Sequence, residues 1–362
     1  MSSKRFIVPW KASVAKPAIY HCISRVVDRR FAFEDREGEH FRKFMRMQEN
    51  FSGCRVLSYC LMSNHFHILL EVPPMPAGGI SDAGLVKRLS AIYSEADVAV
   101  VGKELSDARK AGNEVRVGEI HGRFTYRMHD LSEFMKTLVQ RFTQWFNRTH
   151  QRTGNLWEEA FKSVIVEDGV AARTMAAYID LNPVRAGMVR DPADYRWSSY
   201  GEAIGGGTKG NGKKAREGLV RAYFCDQGAG FEAEKWLEVS RLYRRLMGLA
   251  LGRKPGRAEV AGKGEGNGLG QTTKNSAELL ESEDNETGLK DLGMAKMLRC
   301  RVRYFTDGAV IGSRGFVNEA FANARERFGP KRKDGARKMR GGGAAAAGIL
   351  WSLRDLTKDI AP

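Results

Sequence analysis

The stretch Cys60-Leu-Met-Ser-Asn-His-Phe-His-Ile-Leu-Leu-Glu-Val-Pro73 decides the fold of this chain. Its apolar run from Ile68 to Val72 ends at a proline, which predicts a buried β-strand that begins at His65. Side chains two residues apart leave the same face of a strand, so His65 and His67 are expected to point the same way. Two neutral imidazoles side by side form half of a site for a divalent metal ion.

Hydrophobic periodicity predicts an α+β domain around this strand. Ser63-Asn64 is the expected turn of a hairpin formed with the preceding strand. The predicted elements are, in order, strand, helix, strand, strand, helix and strand, over residues 18–26, 39–50, 55–62, 65–72, 131–149 and 163–167. This βαββαβ order is that of a split-βαβ, ferredoxin-like antiparallel sheet with packed helices.

A second segment, Ala176-Ala-Tyr-Ile-Asp-Leu-Asn-Pro-Val-Arg-Ala-Gly187, lies more than a hundred residues downstream. Residues 170–181 predict a helix, and Pro183 is expected to end it because the residue before a proline is pushed away from α geometry. Tyr178 and Asn182 are four residues apart and therefore share one face of the last turn. A phenol, which is a potential nucleophile, and an amide oxygen, which is a potential metal ligand, would be presented together.

Taken together, these segments resemble the single-tyrosine HUH transposases, an IS200-like family, and in particular their REP-associated tyrosine transposase branch. Three further strings carry the resemblance: Pro17-Ala-Ile-Tyr-His-Cys-Ile-Ser-Arg25, Gly154-Asn-Leu-Trp-Glu-Glu-Ala-Phe-Lys-Ser163 and Trp197-Ser-Ser-Tyr200. The resemblance covers residues 16–76 and 128–200. His21, on the first strand, fits the family string and is expected to be a core or supporting histidine.

The resemblance implies an enzyme that cleaves and rejoins single-stranded DNA beside hairpins (REP-like sites), in DNA transposition or recombination. Tyr178 would be the nucleophile and would form a 5′-phosphotyrosine intermediate. His65, His67 and Asn182 would hold a divalent metal ion, Mg²⁺ or Mn²⁺, at the scissile phosphate. Asn182 has an alternative role as the cap of its helix beside Pro183.

Two other functions stay open at this point. In the first, the protein is a hydrolytic nuclease that depends on metal and water, and Tyr178 only packs in the core. In the second, it is a non-catalytic DNA-binding regulator. The presence of His65, His67 and Tyr178 together argues against the second.

The charge of the chain agrees with a nucleic-acid partner. The 362 residues carry a formal net charge of +16, and an excess of this size is typical of proteins that bind a polyanion. No stretch is apolar enough to span a membrane and no signal peptide is visible, so a membrane partner is not expected. DNA contacts are predicted for eight basic residues: Arg25, Arg29, Arg30, Lys162, Arg185, Lys331, Arg332 and Lys333.

The five cysteines have no paired spacing. This pattern argues against a zinc ribbon and against a disulfide framework, and it indicates a reducing compartment, the cytoplasm. The resemblance implies a bacterial cytoplasm, with the protein associated with the nucleoid. The sequence leaves open whether the protein is a monomer or a homodimer.

Residues 1–204 are predicted to form the catalytic domain. An insertion at about 77–127 interrupts it, and the family pattern does not require this segment. Its composition predicts helix around 83–111 and extended chain over 114–126.

The remaining sequence is expected to divide into four segments. They are a flexible basic tether, a helical segment, a disordered linker and an accessory module, over 205–217, 218–251, 252–289 and 290–362. The last module is predicted to be mainly helical and basic, to bind DNA, and to contain an amphipathic helix with Phe316, Val317, Ala320 and Phe321 facing inward.

Overall fold

The computed structural model describes residues 16–30, 32–206, 210–224, 233–252, 294–295, 297–298, 303–339 and 350–353. The strands are β1 (Ala18–Arg25), β2 (Arg55–Leu61), β3 (His65–Val72), β4 (Lys162–Val166), β5 (Val310–Gly312), β6 (Arg337–Lys338) and β7 (Trp351–Leu353). The helices are α1 (Asp35–Ser52), α2 (Asp82–Leu89), α3 (Glu95–Lys110), α4 (Glu114–Thr125), α5 (Leu131–Thr149), α6 (Val170–Asp180), α7 (Asn182–Arg185), α8 (Ser199–Gly205), α9 (Gly210–Phe224), α10 (Ala233–Ala250), α11 (Arg303–Thr306) and α12 (Arg314–Ala322).

The first four strands form an antiparallel sheet in the order β2-β3-β1-β4. Read from the other edge this order is 4-1-3-2, which is the arrangement of the split-βαβ fold. Helix α1 connects β1 to β2, and α5 precedes β4. The α+β, ferredoxin-like class predicted from the sequence is therefore confirmed.

Strand β3 has helices on both of its faces, which explains its nearly continuous apolar run. Phe66 points to the side of α1 and α5, where its ring centroid lies 4.8 Å from that of Phe41. Helix α6 covers the opposite face. The turn between β2 and β3 is closed by a 2.8 Å hydrogen bond from the amide of Met62 to the carbonyl of His65, as the hairpin prediction requires.

Two long helices follow the expected pattern closely. Helix α5 spans the predicted residues 131–149, and the carboxylate of Asp130 caps it by accepting a 2.9 Å bond from the amide of Glu133. Helix α1 begins four residues earlier than predicted, because Glu34 and Glu37 form a capping box. Gly53, with φ of +74°, ends it in the left-handed conformation that glycine adopts without strain.

Helix α6 covers residues 170–180, close to the prediction. Pro183 does not send the chain into an extended course. It lies in the first turn of the short helix α7, where its missing amide hydrogen is not needed.

The insertion is a helical unit with its own small core. Phe51 of α1 packs against buried residues of α2, α3 and α4, namely Leu85, Leu89, Val101, Leu105, Ala108, Val117 and Ile120. The prediction of extended chain over 114–126 is wrong, because residues 114–125 form α4. Asn113 caps this helix with a 2.9 Å bond from the amide of Arg116. None of the helices in the described part of the chain has the length and hydropathy needed to cross a bilayer.

The predicted flexible tether at 205–217 is also wrong over residues 210–217, which form the first half of α9. Ala215 and Leu219 are buried, and the helix packs on β2. Gly218 is required there, because a Cβ atom at this position would lie 2.4 Å from the carbonyl oxygen of Val56. The packing of α9 on β2 therefore fixes residues 210–217 as helix despite the glycine content of the segment. The predicted linker at 252–289, apart from Gly252, lies outside the described residues.

The last described residues extend the sheet. Strand β5 pairs in parallel with β4, and β7 and β6 follow, which gives a seven-stranded sheet in the order β2-β3-β1-β4-β5-β7-β6. Helix α12 buries Val317, Ala320 and Phe321 as predicted, whereas Phe316 is only partly buried. The expectation of a mainly helical C-terminal module is corrected by these strands, because Val310 and Ile311 complete the open edge of β4.

Candidate active site

The two histidines of β3 lie together on the face that α6 covers. Their ring centroids are 5.0 Å apart and the ring planes are inclined by 80°. Arg25 of β1 stands directly opposite His65, and Ile23 stands opposite His67. The structure thus brings the imidazole pair together as the two-residue spacing predicts.

Helix α6 places Tyr178 beside this pair. The tyrosine ring centroid is 6.0 Å from that of His67, with an interplanar angle of 90°, and also 6.0 Å from that of His21. Two segments that are more than a hundred residues apart in the sequence therefore converge. The convergence is set by the packing of α6 on β2 and β3.

Tyr178 is almost completely enclosed, with 1% of its surface exposed. Phe305 of α11 stacks on it with ring centroids 4.5 Å apart and an interplanar angle of 17°, and the Arg185 guanidinium lies 4.8 Å from its ring centroid. Burial raises the pKa of Tyr178 to about 12, and the nearby Arg185 opposes this shift. No sequence motif marks Phe305, so the sequence did not reveal it as a neighbour of the tyrosine.

Hydrogen bonds link the histidines to their surroundings. His21 is fully buried, its Nδ1 lies 2.9 Å from the carbonyl oxygen of Phe305, and its Nε2 lies 2.9 Å from Nδ1 of His67. Nδ1 of His65 lies 2.8 Å from Oδ1 of Asn64, whose amide nitrogen donates to the carbonyl of Arg29. His21 is thus a supporting histidine, as expected, and it contacts His67, one of the three predicted metal ligands, directly.

All three histidines are held in the neutral form. Burial lowers the pKa of His21 to about 4, and burial together with the charge of Arg25 lowers the pKa of His65 to about 4. The pKa of His67 lies well below its ordinary value, chiefly because of burial and then because of the neighbouring histidines. Neutral imidazole is the form that binds a metal ion, so the electrostatics of the site suit this role.

The donor set fits a metal ion with open coordination positions. Within the described part of the chain, no group of three or more His, Cys, Asp or Glu side chains is arranged to hold a metal ion, so His65 and His67 need a further ligand. Asn182 donates hydrogen bonds from its amide nitrogen to the carbonyls of Tyr178 (3.1 Å) and Ile179 (3.2 Å), which is a helix-capping arrangement. Its amide oxygen is the atom by which it would bind a metal.

Glu71 shares this face of β3 but has another role. It is fully buried and accepts bonds from Arg221 of α9, 3.0 Å from the guanidinium Nε, and from Arg55, 3.2 Å from Nη1. The ion pair with Arg221 anchors α9 to the strand that carries the histidines.

Two of the predicted DNA contacts flank the histidines. Arg25 is exposed opposite His65, and Lys162 is exposed on β4, where it pairs with Ile23 on the same face. Arg185 instead packs on Tyr178 and donates to the carbonyls of Tyr178 (3.2 Å) and Leu298 (2.8 Å).

The next two predicted contacts lie in the turn after β1. The side chains of Arg29 and Arg30 are 73% and 74% exposed. They lie 3.9 Å from Glu158 and 3.6 Å from Asp28, respectively. Ion pairs as exposed as these leave both guanidinium groups accessible to a phosphate.

The structure does not bring residues 331–333 to the histidines. They precede β6, which lies five strand positions from β3, roughly 24 Å at the usual strand spacing. The Arg332 guanidinium lies 5.1 Å from the Phe328 ring and donates to backbone carbonyls, so it holds its own turn. Lys331 and Lys333 are exposed.

Comparison with known proteins finds a family match for the first part of the chain. Residues 15–95 match the family model described as "Transposase IS200 like". Among solved structures, one described as "Structure of the REP associates tyrosine transposase bound to a REP hairpin" is 12% identical with a TM-score of 0.35, over 64% of this chain and 96% of that one. The search of curated proteins finds no match.

The family match includes β1, α1 and the hairpin that carries His65 and His67. It confirms the IS200-like transposase resemblance for this part of the chain. The matched region ends before Tyr178, so the role of the tyrosine segment rests on the geometry described above.

Proposed function

We propose that this protein is a metal-dependent enzyme that cleaves and rejoins single-stranded DNA through a 5′-phosphotyrosine intermediate. Its substrate would be DNA flanked by REP-like hairpins, and the reaction would serve transposition or recombination. The observation that carries the proposal is the convergence of Tyr178 with the pair His65 and His67 on one face of the sheet. The hairpin substrate follows from the sequence resemblance.

The histidines supply the metal-binding part of the reaction. His65 and His67, with the amide oxygen of Asn182, would hold Mg²⁺ or Mn²⁺, which supplies neutralisation of the charge that develops on the scissile phosphate. Arg25 and Lys162, exposed beside the pair, would bind the neighbouring phosphates.

Tyr178 supplies the nucleophile. The tyrosine hydroxyl would lose its proton, and its oxygen would form a bond to phosphorus while the bond from phosphorus to the 3′ oxygen breaks. The 3′ oxygen would take up a proton, which leaves a free 3′-hydroxyl. Because a phosphodiester-like bond is kept in the intermediate, a 3′-hydroxyl can attack it and restore the strand without ATP. Tyr178 is 1% exposed under Phe305, so DNA reaches its hydroxyl only after this part of the structure opens.

The same burial favours one alternative. A hydrolytic nuclease, in which metal and water cleave the DNA, would use Tyr178 only for packing. A metal site at His65 and His67 serves both mechanisms, so they differ only in the fate of the tyrosine.

The experiment that tests the proposal follows the covalent adduct. Full-length protein is incubated with Mn²⁺ and single-stranded hairpin DNA labelled at its 3′ end, because the 5′-phosphotyrosine bond retains the downstream fragment. We expect a labelled, denaturant-resistant adduct that Tyr178→Phe abolishes. Tyr200→Phe is the matched control, since Tyr200 is also 1% exposed but lies on α8.

Other outcomes assign the protein to the alternatives. Cleavage that survives Tyr178→Phe, with no adduct from the wild-type enzyme, would establish the hydrolytic mechanism. Tight hairpin binding without a nick in any divalent metal would indicate a non-catalytic regulator.

A further inference from the structure

We propose that His21 and Asn64 are positioning residues that fix the tautomers of His67 and His65, so that both rings present the lone pair of Nε2. The inference deepens the proposed function, since it rests on His65 and His67 being metal ligands. It assigns a role to two residues that bind neither the metal nor DNA.

The first chain of hydrogen bonds begins at Phe305. A backbone carbonyl only accepts hydrogen bonds, so Nδ1 of His21, 2.9 Å from the Phe305 oxygen, carries a proton and donates it. His21 is fully buried, and its two hydrogen-bond partners are a carbonyl and an imidazole, neither of which balances a positive charge on the ring. A neutral ring with its proton on Nδ1 has only a lone pair on Nε2.

This lone pair determines the state of His67. Its Nδ1 lies 2.9 Å from Nε2 of His21, and a hydrogen bond at this distance requires that His67 donates. The proton of His67 is therefore on Nδ1, and its Nε2 carries the lone pair. The ring planes of the two histidines differ by 19°, with centroids 5.1 Å apart.

The second chain begins at Arg29. The amide nitrogen of Asn64 donates to the carbonyl of Arg29 at 2.9 Å, which turns Oδ1 of Asn64 toward His65. An amide oxygen only accepts, so Nδ1 of His65 donates across the 2.8 Å contact. The Nε2 atom of His65 then carries a lone pair as well.

The backbone around Arg29 supports a functional role for this second chain. Asp28 and Arg29 have φ of 57° and 54°, a left-handed conformation that residues other than glycine adopt at an energetic cost. The amide of Val26 donates to the carbonyl of Asn64 at 2.8 Å, which ties the turn to the residue before His65. The strained turn thus holds the carbonyl that orients Asn64.

Both hydrogen-bond chains begin at a backbone carbonyl, and both leave Nε2 of the ligand histidine as the acceptor. A histidine that donates its other nitrogen to a fixed partner is held in the orientation and tautomer that a metal requires, and loss of such a partner reduces metal affinity about 10–100-fold. Because the first hydrogen-bond chain begins at the Phe305 carbonyl, the C-terminal part of the protein contributes to the proposed metal site.

The direct test is the tautomer of each histidine in the metal-free, full-length protein. Long-range ¹H–¹⁵N NMR correlation spectra distinguish Nδ1–H from Nε2–H rings, and His65→Asn and His67→Asn variants assign the signals. We expect both rings to be protonated on Nδ1 at neutral pH. A spectrum with His67 in the Nε2–H form would overturn the proposal. This measurement requires neither DNA nor metal.

Substitution of His21 gives the second test. In His21→Phe the acceptor is lost, and we expect the Nδ1–H form of His67 to lose its dominance and Mn²⁺ affinity, measured from the EPR signal of free Mn²⁺, to fall about 10–100-fold. His21→Gln keeps an acceptor oxygen and should restore affinity close to wild type. His40→Phe is the control, because His40 also bonds a backbone carbonyl, that of Arg36, but on α1.

The outcomes separate this inference from the proposed function. Unchanged Mn²⁺ affinity in His21→Phe contradicts the positioning role. If His65→Asn leaves the Mn²⁺ affinity unchanged, the proposed metal site itself is contradicted. The NMR spectrum of the metal-free protein still tests the tautomers in that case. If His21→Phe does not fold, the wild-type NMR spectrum and the Mn²⁺ affinity of His21→Gln test the positioning role instead.

Discussion

Phe305 stacks on Tyr178 almost in parallel, with ring centroids 4.5 Å apart, although the two residues are more than a hundred positions apart in the sequence. The same phenylalanine accepts a hydrogen bond from His21 through its carbonyl oxygen. One residue of α11 therefore contacts both the proposed nucleophile and the histidine behind the proposed metal site. The C-terminal part of the chain is structurally continuous with the proposed catalytic domain.

The first prediction concerns the energetic weight of this contact. Phe305 is 1% exposed, so Phe305→Ala removes a buried ring and leaves a cavity, and we expect the free energy of unfolding to fall by about 3–5 kcal/mol. Chemical denaturation of the full-length protein measures this change. Phe224→Ala, at a ring that is 37% exposed, should have a much smaller effect. An equal effect of both variants would show that the α11 contact contributes little.

The second prediction concerns pH. Asp180 is fully buried, and burial raises its pKa to about 7 although Tyr243, the Tyr200 amide and Ser58 donate hydrogen bonds to it. The folded state therefore binds a proton that the unfolded state releases near pH 3.8, so the stability contributed by this group is complete below pH 3.8 and is lost as pH rises to about 7. The shift corresponds to about 4 kcal/mol.

Asp180→Asn isolates this contribution. We expect the variant to lack the part of the stability decline between pH 4 and pH 8 that Asp180 causes, when free energies of unfolding are compared with those of wild type across this range. Asp194→Asn, at an exposed carboxylate, serves as the control. Parallel pH curves for wild type and Asp180→Asn would mean that Asp180 has an ordinary pKa.

The third prediction concerns the ion pair that anchors α9 to β3. Among the described residues, Arg221→Leu leaves the fully buried Glu71 with its ion pair to the half-exposed Arg55 alone. A poorly compensated buried charge destabilises by about 3–5 kcal/mol. The double variant Arg221→Leu with Glu71→Leu removes both charges and should be more stable than the single variant. Thermal or chemical unfolding gives the comparison. A double variant no more stable than Arg221→Leu would contradict this account of the pair.

The fourth prediction concerns DNA binding. Arg25 is exposed beside His65, and loss of one phosphate contact lowers the slope of log affinity for single-stranded DNA against log salt by about 0.7. We expect Arg25→Gln to show this change in a fluorescence anisotropy titration at several salt concentrations. Lys103→Gln, on the exposed side of α3, should keep the wild-type slope.

Lys333→Gln extends the same measurement to the far end of the sheet. A reduced slope would show that a DNA molecule bound near His65 also reaches residues 331–333, as the sequence predicts. An unchanged slope would restrict the interface to the histidine face, in agreement with the five strand positions between β3 and β6.

Local hydrophobic periodicity predicts an element correctly where that element buries a single face or lies between two layers. Residues 65–72 and 131–149 form the strand and the helix that their patterns predict. The prediction of extended chain over 114–126 failed, because residues 114–125 form α4, which buries Val117 and Ile120 at helical spacing. At residues 210–217, glycine content predicts a flexible chain, but these residues form the first half of α9, which packs on β2.

For the candidate site, the sequence alone placed His65 and His67 on one face, because alternation along a strand is a property of the backbone. Only the tertiary structure decided that Tyr178 lies beside them, that His21 bonds His67, and that Phe305 closes over the tyrosine. These contacts join residues far apart in the chain. They depend on which sheet edge and which helix face remain open for packing, and no local spacing of residues encodes that choice.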